Sequence, residues 1–216
     1  MHRYFRYPEY IRLLGEIQQH RTPPGTWLDV GCDHGFFLDE ARRFGYDTLG
    51  VEPSEQARSY ARHIGIDVRH DVSEITESID MASMWHVLEH LQKPTEVLQQ
   101  LHAKMNSGGL LVVRVPDAGS LWARVMRDKW IWFQPHHHVV QYTSTTLRKV
   151  VEGAGFNVKM LRSQYPNTYH TKLSYALATS AFAAADVLPS PSLRDRLARQ
   201  YQDITGKELF LIAERL

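Results

Sequence analysis

The sequence holds one cysteine, Cys32, so no disulfide can close within the chain. That excludes a disulfide-built secreted scaffold and fits a reducing compartment. Charge of either sign is not in excess: 25 basic against 24 acidic residues leave a formal net charge of +1. Such a balance gives no overall field for nucleic acid or an acidic membrane, and no nucleic-acid partner is expected. A run of roughly 20 apolar residues, the length that spans a bilayer, is also missing, so no stable membrane insertion is expected. The nearest approach, Leu173 to Leu188, is interrupted by Ser174, Thr179, Ser180 and Asp186. It reads as a buried or lid helix, or as a surface helix meeting a lipid-like acceptor. The opening residues Met1-His-Arg-Tyr-Phe-Arg-Tyr lack the apolar core of a secretory signal, and a cytoplasmic protein is expected. There are no internal repeats, low-complexity tracts or clear linkers. A chain of 216 residues suffices for one sizeable α/β domain, read here as 1–216.

What is present is organised around Thr26-Trp-Leu-Asp-Val-Gly-Cys-Asp-His-Gly-Phe-Phe-Leu-Asp-Glu-Ala41, followed by Thr48-Leu-Gly-Val-Glu52. Trp27, Leu28 and Val30 form a short apolar run; Gly31 and Gly35 punctuate it; Phe36, Phe37, Leu38 and Ala41 recur at helical spacing. Strand, glycine turn, helix, strand and terminal acid make the nucleotide half of a doubly wound α/β fold, with ligands beyond the carboxyl ends of the strands. Glu52, about 20 residues past the turn, is placed to accept hydrogen bonds from ribose hydroxyls. A dinucleotide fingerprint needs bare backbone N–H groups for a pyrophosphate, but here Asp33 stands where the second glycine would be. A carboxylate there repels phosphate and favours a cation. S-adenosylmethionine has no phosphate and carries a sulfonium and an ammonium.

Elsewhere, Tyr10, Ile11, Leu13, Leu14 and Ile17 set a helix over Pro8 to His20, closed by Thr22-Pro-Pro-Gly25, so that residues 1–24 form a helical cap. The preceding Arg3-Tyr-Phe-Arg-Tyr7 either frays or touches substrate. Ser54 is placed to cap a helix from Gln56 to His63, and strands are predicted over Ile66 to Arg69 and residues 79–85. His86 and His90, four apart, share a face if helical, with Glu89 between them. The pattern lacks a recognisable third ligand, and no metal is assigned. Pro94 opens a helix through His102, Asn106 to Gly109 stops it, and Leu110 to Val115 reads as a continuous apolar central strand. The stretch 117–142 carries Trp122, Trp130, Trp132, Phe133 and the run His136, His137, His138. It either packs a surface subdomain or lines an acceptor pocket; its place after the fifth strand favours the pocket.

These segments resemble the class I S-adenosylmethionine-dependent methyltransferases, especially the small-molecule group that includes ubiquinone-biosynthesis-type O-methyltransferases. Leu28 to Gly35 looks like that family's first motif, Val51-Glu-Pro53 its second, Ile79 to Leu91 its fourth strand and "LEH" segment, and Ser107 to Pro116 its fifth strand. Thr143 to Phe156 resembles the family's capped helix ending at "AGF", preceded by a recurring histidine, here His138. The departure is Asp33 in place of the usual glycine. The resemblance implies a Rossmann-like sheet of seven strands, mostly parallel. The sixth would cover Asn157 to Leu161, a helical segment 164–205 would follow, and the last strand, Gly206 to Ala213, would be antiparallel between the fifth and sixth. It also implies an N-terminal helix over the cofactor mouth, though packing on the sheet edge explains that helix equally.

The expected enzyme binds S-adenosylmethionine and releases S-adenosylhomocysteine. Asp29, Gly31, Cys32, Asp33, Gly35 and Phe36 would hold the methionine end, Glu52 and Pro53 the ribose, and Asp71 with Val72 the adenine, with Trp85 and His86 close by. Asp71 equally suits the cap of a short turn. His138, or its neighbours His136 and His137, would act as base for O-methylation of a small-molecule acceptor. An N-methyltransferase, a macromolecule or lipid methyltransferase and a non-catalytic binder of the same ligand are the alternatives.

Overall fold

The computed structural model describes residues 2–164 and 207–216. Strands buried on both faces read as short apolar runs, and these pair into one seven-stranded sheet. In chain order they are β1 (Thr26–Val30), β2 (Asp47–Val51), β3 (Asp67–Arg69), β4 (Ile79–Trp85), β5 (Met105–Pro116), β6 (Phe156–Gln164) and β7 (Glu208–Arg215). Their order across the sheet is β3-β2-β1-β4-β5-β7-β6. Strands β1 to β5 pair in parallel, whereas β7 runs antiparallel to both β5 and β6. The doubly wound arrangement with an inserted, reversed last strand is therefore observed.

Six α-helices flank the described sheet: α1 (His2–Ile17), α2 (Phe36–Arg43), α3 (Glu55–His63), α4 (Pro94–Lys104), α5 (Leu121–Met126) and α6 (Ser144–Gly153). Successive strand residues point to opposite faces, and β1 shows the result. Trp27 packs with Leu13, Leu14 and Ile17 of α1, Phe37 and Leu38 of α2 and Ala61 of α3. Its neighbour Leu28 packs on the other side with Leu98 and Leu101 of α4 and Leu147 and Val151 of α6. The caps are as the sequence indicated: the Ser54 hydroxyl accepts from Ala57 N–H, and Thr143 forms a capping box with Thr146.

Three elements differ from expectation by more than two residues at an end. Helix α1 starts at His2 and ends at Ile17, leaving residues 18–20 as turn; no glycine or proline before Pro8 breaks it. Residues 106–109 are not a separate turn but lie inside β5, where pairing jumps from Ile79 opposite Met105 to Met81 opposite Leu110. Gly108 turns this bulge at φ +73, and a Cβ on Gly109 would lie 2.8 Å from the Asn106 carbonyl. The Asp80 carboxylate staples that edge, accepting from Thr26 N–H, Arg21 and Asn106. Finally, β6 extends to Gln164. The expected helical segment 164–205, including the apolar run at 173–188, otherwise lies outside the described residues. No helix of the described residues is long and apolar enough to cross a membrane.

Candidate functional site

The site begins with a charge in an apolar place. Asp29, inside β1, is 2% exposed. The Ser83 hydroxyl donates to its side chain at 2.6 Å and itself accepts from Trp27 Nε1 at 2.9 Å. Burial pushes the Asp29 carboxyl up to about 8; Ser83 opposes the shift and nearby Glu52 adds to it. The chain leaves β1 at Gly31, φ +73, where a Cβ would lie 2.4 Å from Val87 Cγ2. Only glycine fits there. Asp33 follows at φ +49, a left-handed conformation that aspartate adopts more readily than most residues, which explains how it can replace glycine. Gly35, φ +76, then caps α2 ahead of Phe36.

The sequence assigned the preference for a cation to Asp33, but that side chain is 73% exposed and turned to His34 at 2.7 Å. Asp29 is the buried carboxylate of the two. Glu52, at the end of β2, accepts from Asp33 N–H at 3.1 Å and from Ser54 N–H at 2.8 Å. Cys32 packs beneath Gly50, whose absent Cβ would stand 2.6 Å from Sγ. Burial, then Asp29 and Glu52, push the Cys32 thiol up, so it stays protonated and inert.

A cavity of about 100 Å³ opens at this point. Its wall brings together Asp29, Gly31, Cys32, Asp33, Phe36, Trp85 and His86 from the candidate residues. Helix α1 closes one side with Glu9, Tyr10 and Leu13, and Arg114 of β5 completes it. Gly35, Glu52, Pro53, Asp71 and Val72 do not line this cavity. Asp71 instead caps a 3-10 turn, Val72–Glu74, accepting from Ser73 N–H at 2.8 Å; the Ser73 side chain first, and its N–H second, hold the Asp71 carboxyl below the usual range. Val72 is buried in the core.

His86 and His90 do not share a helix face: only Leu88–His90 form a short 3-10 turn, and His86 sits before it at φ +56. The His86 ring stacks on Trp132, with centroids 5.2 Å apart and planes at 12°. Its Nε2 meets Glu208 at 3.0 Å and its Nδ1 meets Glu89 at 3.2 Å. Burial opposes a charge on His86, but the two carboxylates outweigh it and raise its pKa. Arg114 donates from Nε to Glu208 and from a terminal nitrogen to Glu9. A chain of alternating charge, Glu89–His86–Glu208–Arg114–Glu9, thus runs from the end of β4 to α1.

Sequence reasoning missed most of that chain. Leu110 to Val115 is not continuously apolar, because Arg114 interrupts it. A guanidinium inside a strand covered on both faces must find carboxylates, and that was the available signal.

The three histidines separate. His136 and His137 are exposed, while His138 is 6% exposed. The His138 Nδ1–H donates to the Trp132 carbonyl at 2.8 Å, and burial holds the ring below its ordinary pKa, hence neutral. None of the three lines the cavity. Trp132 links the two places, stacked on His86 and facing His138 at 6.0 Å and 20°. Residues of the 117–142 stretch therefore lie against the carboxyl end of β4.

Comparison with known proteins agrees with this geometry. A family described as methyltransferase domain matches residues 2–160. The ubiquinone biosynthesis O-methyltransferase of Bradyrhizobium diazoefficiens is 32% identical over 95 residues, covering 40% of this chain and 38% of that protein. The chain covers well under two thirds of the length of the first curated relatives. Among solved structures, a SAM-dependent methyltransferase from Archaeoglobus fulgidus superposes with TM-score 0.64 at 17% identity, covering 97% of this chain and 94% of that one. The [4+2]-cyclase SpnF superposes with TM-score 0.65 at 17% identity, covering 94% and 80%. At these identities the structural likeness speaks for the fold alone.

Proposed function

Because the chain belongs to the class I S-adenosylmethionine-dependent methyltransferase family, we propose that it methylates a small-molecule acceptor, most simply at oxygen, and releases S-adenosylhomocysteine. The observation that carries this reading is the buried Asp29 carboxylate in the cavity wall beside the glycine turn. A lone buried carboxylate is costly unless a cation joins it, and the cofactor's methionine end supplies an ammonium and a sulfonium. A second fit is Trp85, a wall residue whose buried Nε1 has no hydrogen-bond partner among the described residues. When bound, the cofactor supplies an electrophilic methyl carbon.

This chain's residues then have positional work to do. Asp29 and the turn hold the methionine end, and Glu52 the ribose. Asp71 and Val72 flank the adenine. Helix α1 excludes water from one side. Holding an acceptor in line with the methyl carbon is worth about 7–11 kcal/mol of barrier. A hydroxyl acceptor must also lose its proton. We assign that proton to Nε2 of neutral His138, the nitrogen left free by the Trp132 bond. The covering insertion with Trp132 and Phe133 suits a small aromatic or apolar acceptor.

Two predictions test the reading. Glu52→Ala is expected to weaken S-adenosylhomocysteine binding by roughly 1.5–3 kcal/mol, about 10- to 150-fold, in a calorimetric titration. Unchanged affinity, or tighter binding of NADH than of S-adenosylhomocysteine by the wild type, would overturn the cofactor assignment. With an acceptor found by screening phenols, alcohols and amines for S-adenosylhomocysteine release, His138→Gln is expected to lower turnover at saturating acceptor by at least about tenfold. Methylation at nitrogen with full activity in that variant points to an N-methyltransferase. Absence of turnover with every class points to a non-catalytic binder.

A further inference from the structure

Beside the cavity, the end of β4 and the 117–142 insertion meet in a second cluster, and we propose that Glu89, His90 and His138 bind a divalent transition-metal cation of the zinc class. One candidate ligand atom from each residue lies within 4.8 Å of the other two. Three details turn proximity into a site. The Glu89 residue is 1% exposed, and its Oε2 is buried without a hydrogen-bond partner among the described residues. Its Oε1 is already held by His86. Both imidazoles are oriented from behind: His138 Nδ1–H donates to the Trp132 carbonyl and His90 Nδ1–H to the His137 carbonyl, each at 2.8 Å. A carbonyl can only accept, so both rings carry their proton on Nδ1 and present a lone pair at Nε2. That is the tautomer and the rear support that metal-ligating histidines use.

The donor set, two neutral imidazoles and one carboxylate, suits zinc, cobalt or iron(II) better than calcium or magnesium. In a tetrahedral zinc site the ligand atoms stand roughly 3.3 Å apart, so small side-chain rotations close the present spread. His90 is exposed, which leaves the outer side of the cluster open to solvent for a fourth ligand. The sequence showed only His86, Glu89 and His90 in this region; the structure gives His86 to Glu208 and supplies His138 from the insertion instead.

The cation and the acceptor's proton compete for one lone pair on His138. With the metal bound, a hydroxyl acceptor reaching the open position would lose its proton to solvent through metal polarisation rather than to the ring. Metal binding itself does not depend on the methyltransferase reading, and its test uses neither cofactor nor acceptor.

The chelator-stripped chain is dialysed against zinc ions and its bound metal measured, then loaded with cobalt(II) and its visible spectrum recorded. One zinc per chain and an intense four-coordinate cobalt band are expected. Glu89→Gln, His138→Gln and His90→Gln should each weaken binding by at least about tenfold, whereas His63→Gln leaves it unchanged. Circular dichroism identifies a variant that fails to fold, and exposed His90 keeps the test open if buried Glu89 or His138 proves intolerant. Failure of the wild type to retain zinc at micromolar free metal overturns the proposal. So does retention at full affinity in folded His90→Gln and His138→Gln.

Discussion

Asp29→Asn is expected to weaken S-adenosylhomocysteine binding by roughly 2–5 kcal/mol, about 30-fold or more, while making the empty protein more stable. Both effects come from one desolvated carboxyl, whose pKa stands at about 8 against 3.8 for the unfolded chain. Between those values the folded protein holds a proton that the unfolded chain releases. Stability contributed by this group therefore falls as pH rises from about 4 to about 8, and above 8 the full cost of burying the charge remains. Asparagine keeps an oxygen for the Ser83 hydroxyl and has no charge to bury. The stability gap in favour of Asp29→Asn should widen through that window and be on the order of 2–4 kcal/mol at pH 7. Binding runs the other way. A cationic ligand selects the ionised carboxylate, so wild-type binding below pH 8 releases a proton, and affinity rises up to about tenfold per pH unit between roughly 5.5 and 7.5. Calorimetry in buffers of different ionisation enthalpy counts that proton, and chemical denaturation across pH reads the stability gap. Proton release persisting in Asp29→Asn would place the titrating group elsewhere.

The parts of this site that the sequence disclosed are those held by neighbours in the chain. Gly31 and Gly35 announce a turn because their φ values demand it, and Ser54 and Thr143 announce caps because the bonds they accept lie three residues on. Asp33 was visible too, but its direction was not. The side chain turns to His34 and solvent, and the electrostatic role passes to Asp29, whose burial depends on strands paired on both sides. Glu208 and Arg114 could not be paired from the sequence, because the register of β5 on an antiparallel β7 sets Arg114 opposite Phe210 and Glu208 opposite Pro116, bringing the two charges diagonally together. His138 carried a motif but no partner; only the folded insertion lays it against His90, with ring centroids 4.8 Å apart.

Arg114→Met should be the most damaging single change to stability, costing about 3–5 kcal/mol in chemical denaturation. Arg114 is 7% exposed, and its guanidinium faces two acids, Glu208 at 2% exposure and Glu9 on α1. Burial works against its charge, but the two carboxylates outweigh that and raise its pKa further. Glu208 is held low in turn: burial would raise its carboxyl, and His86 and Arg114 overcome the effect. Removing the arginine leaves Glu208 buried with only His86, among the described residues, for neutralisation and cuts a polar tie between β5 and α1. The cost lies in the uncompensated charge rather than in any large net value of the ion pair. Arg114→Met combined with Glu208→Leu is therefore expected to recover a substantial part of the loss, although it removes more polar contacts than the single change. Because Glu9 and Arg114 both line the cavity, the same double variant should bind S-adenosylhomocysteine more weakly even where its stability recovers. If stability and binding recover together, the chain of charges serves the fold alone. If the double variant is no more stable than Arg114→Met, the buried Glu208 carboxylate is not the source of the damage.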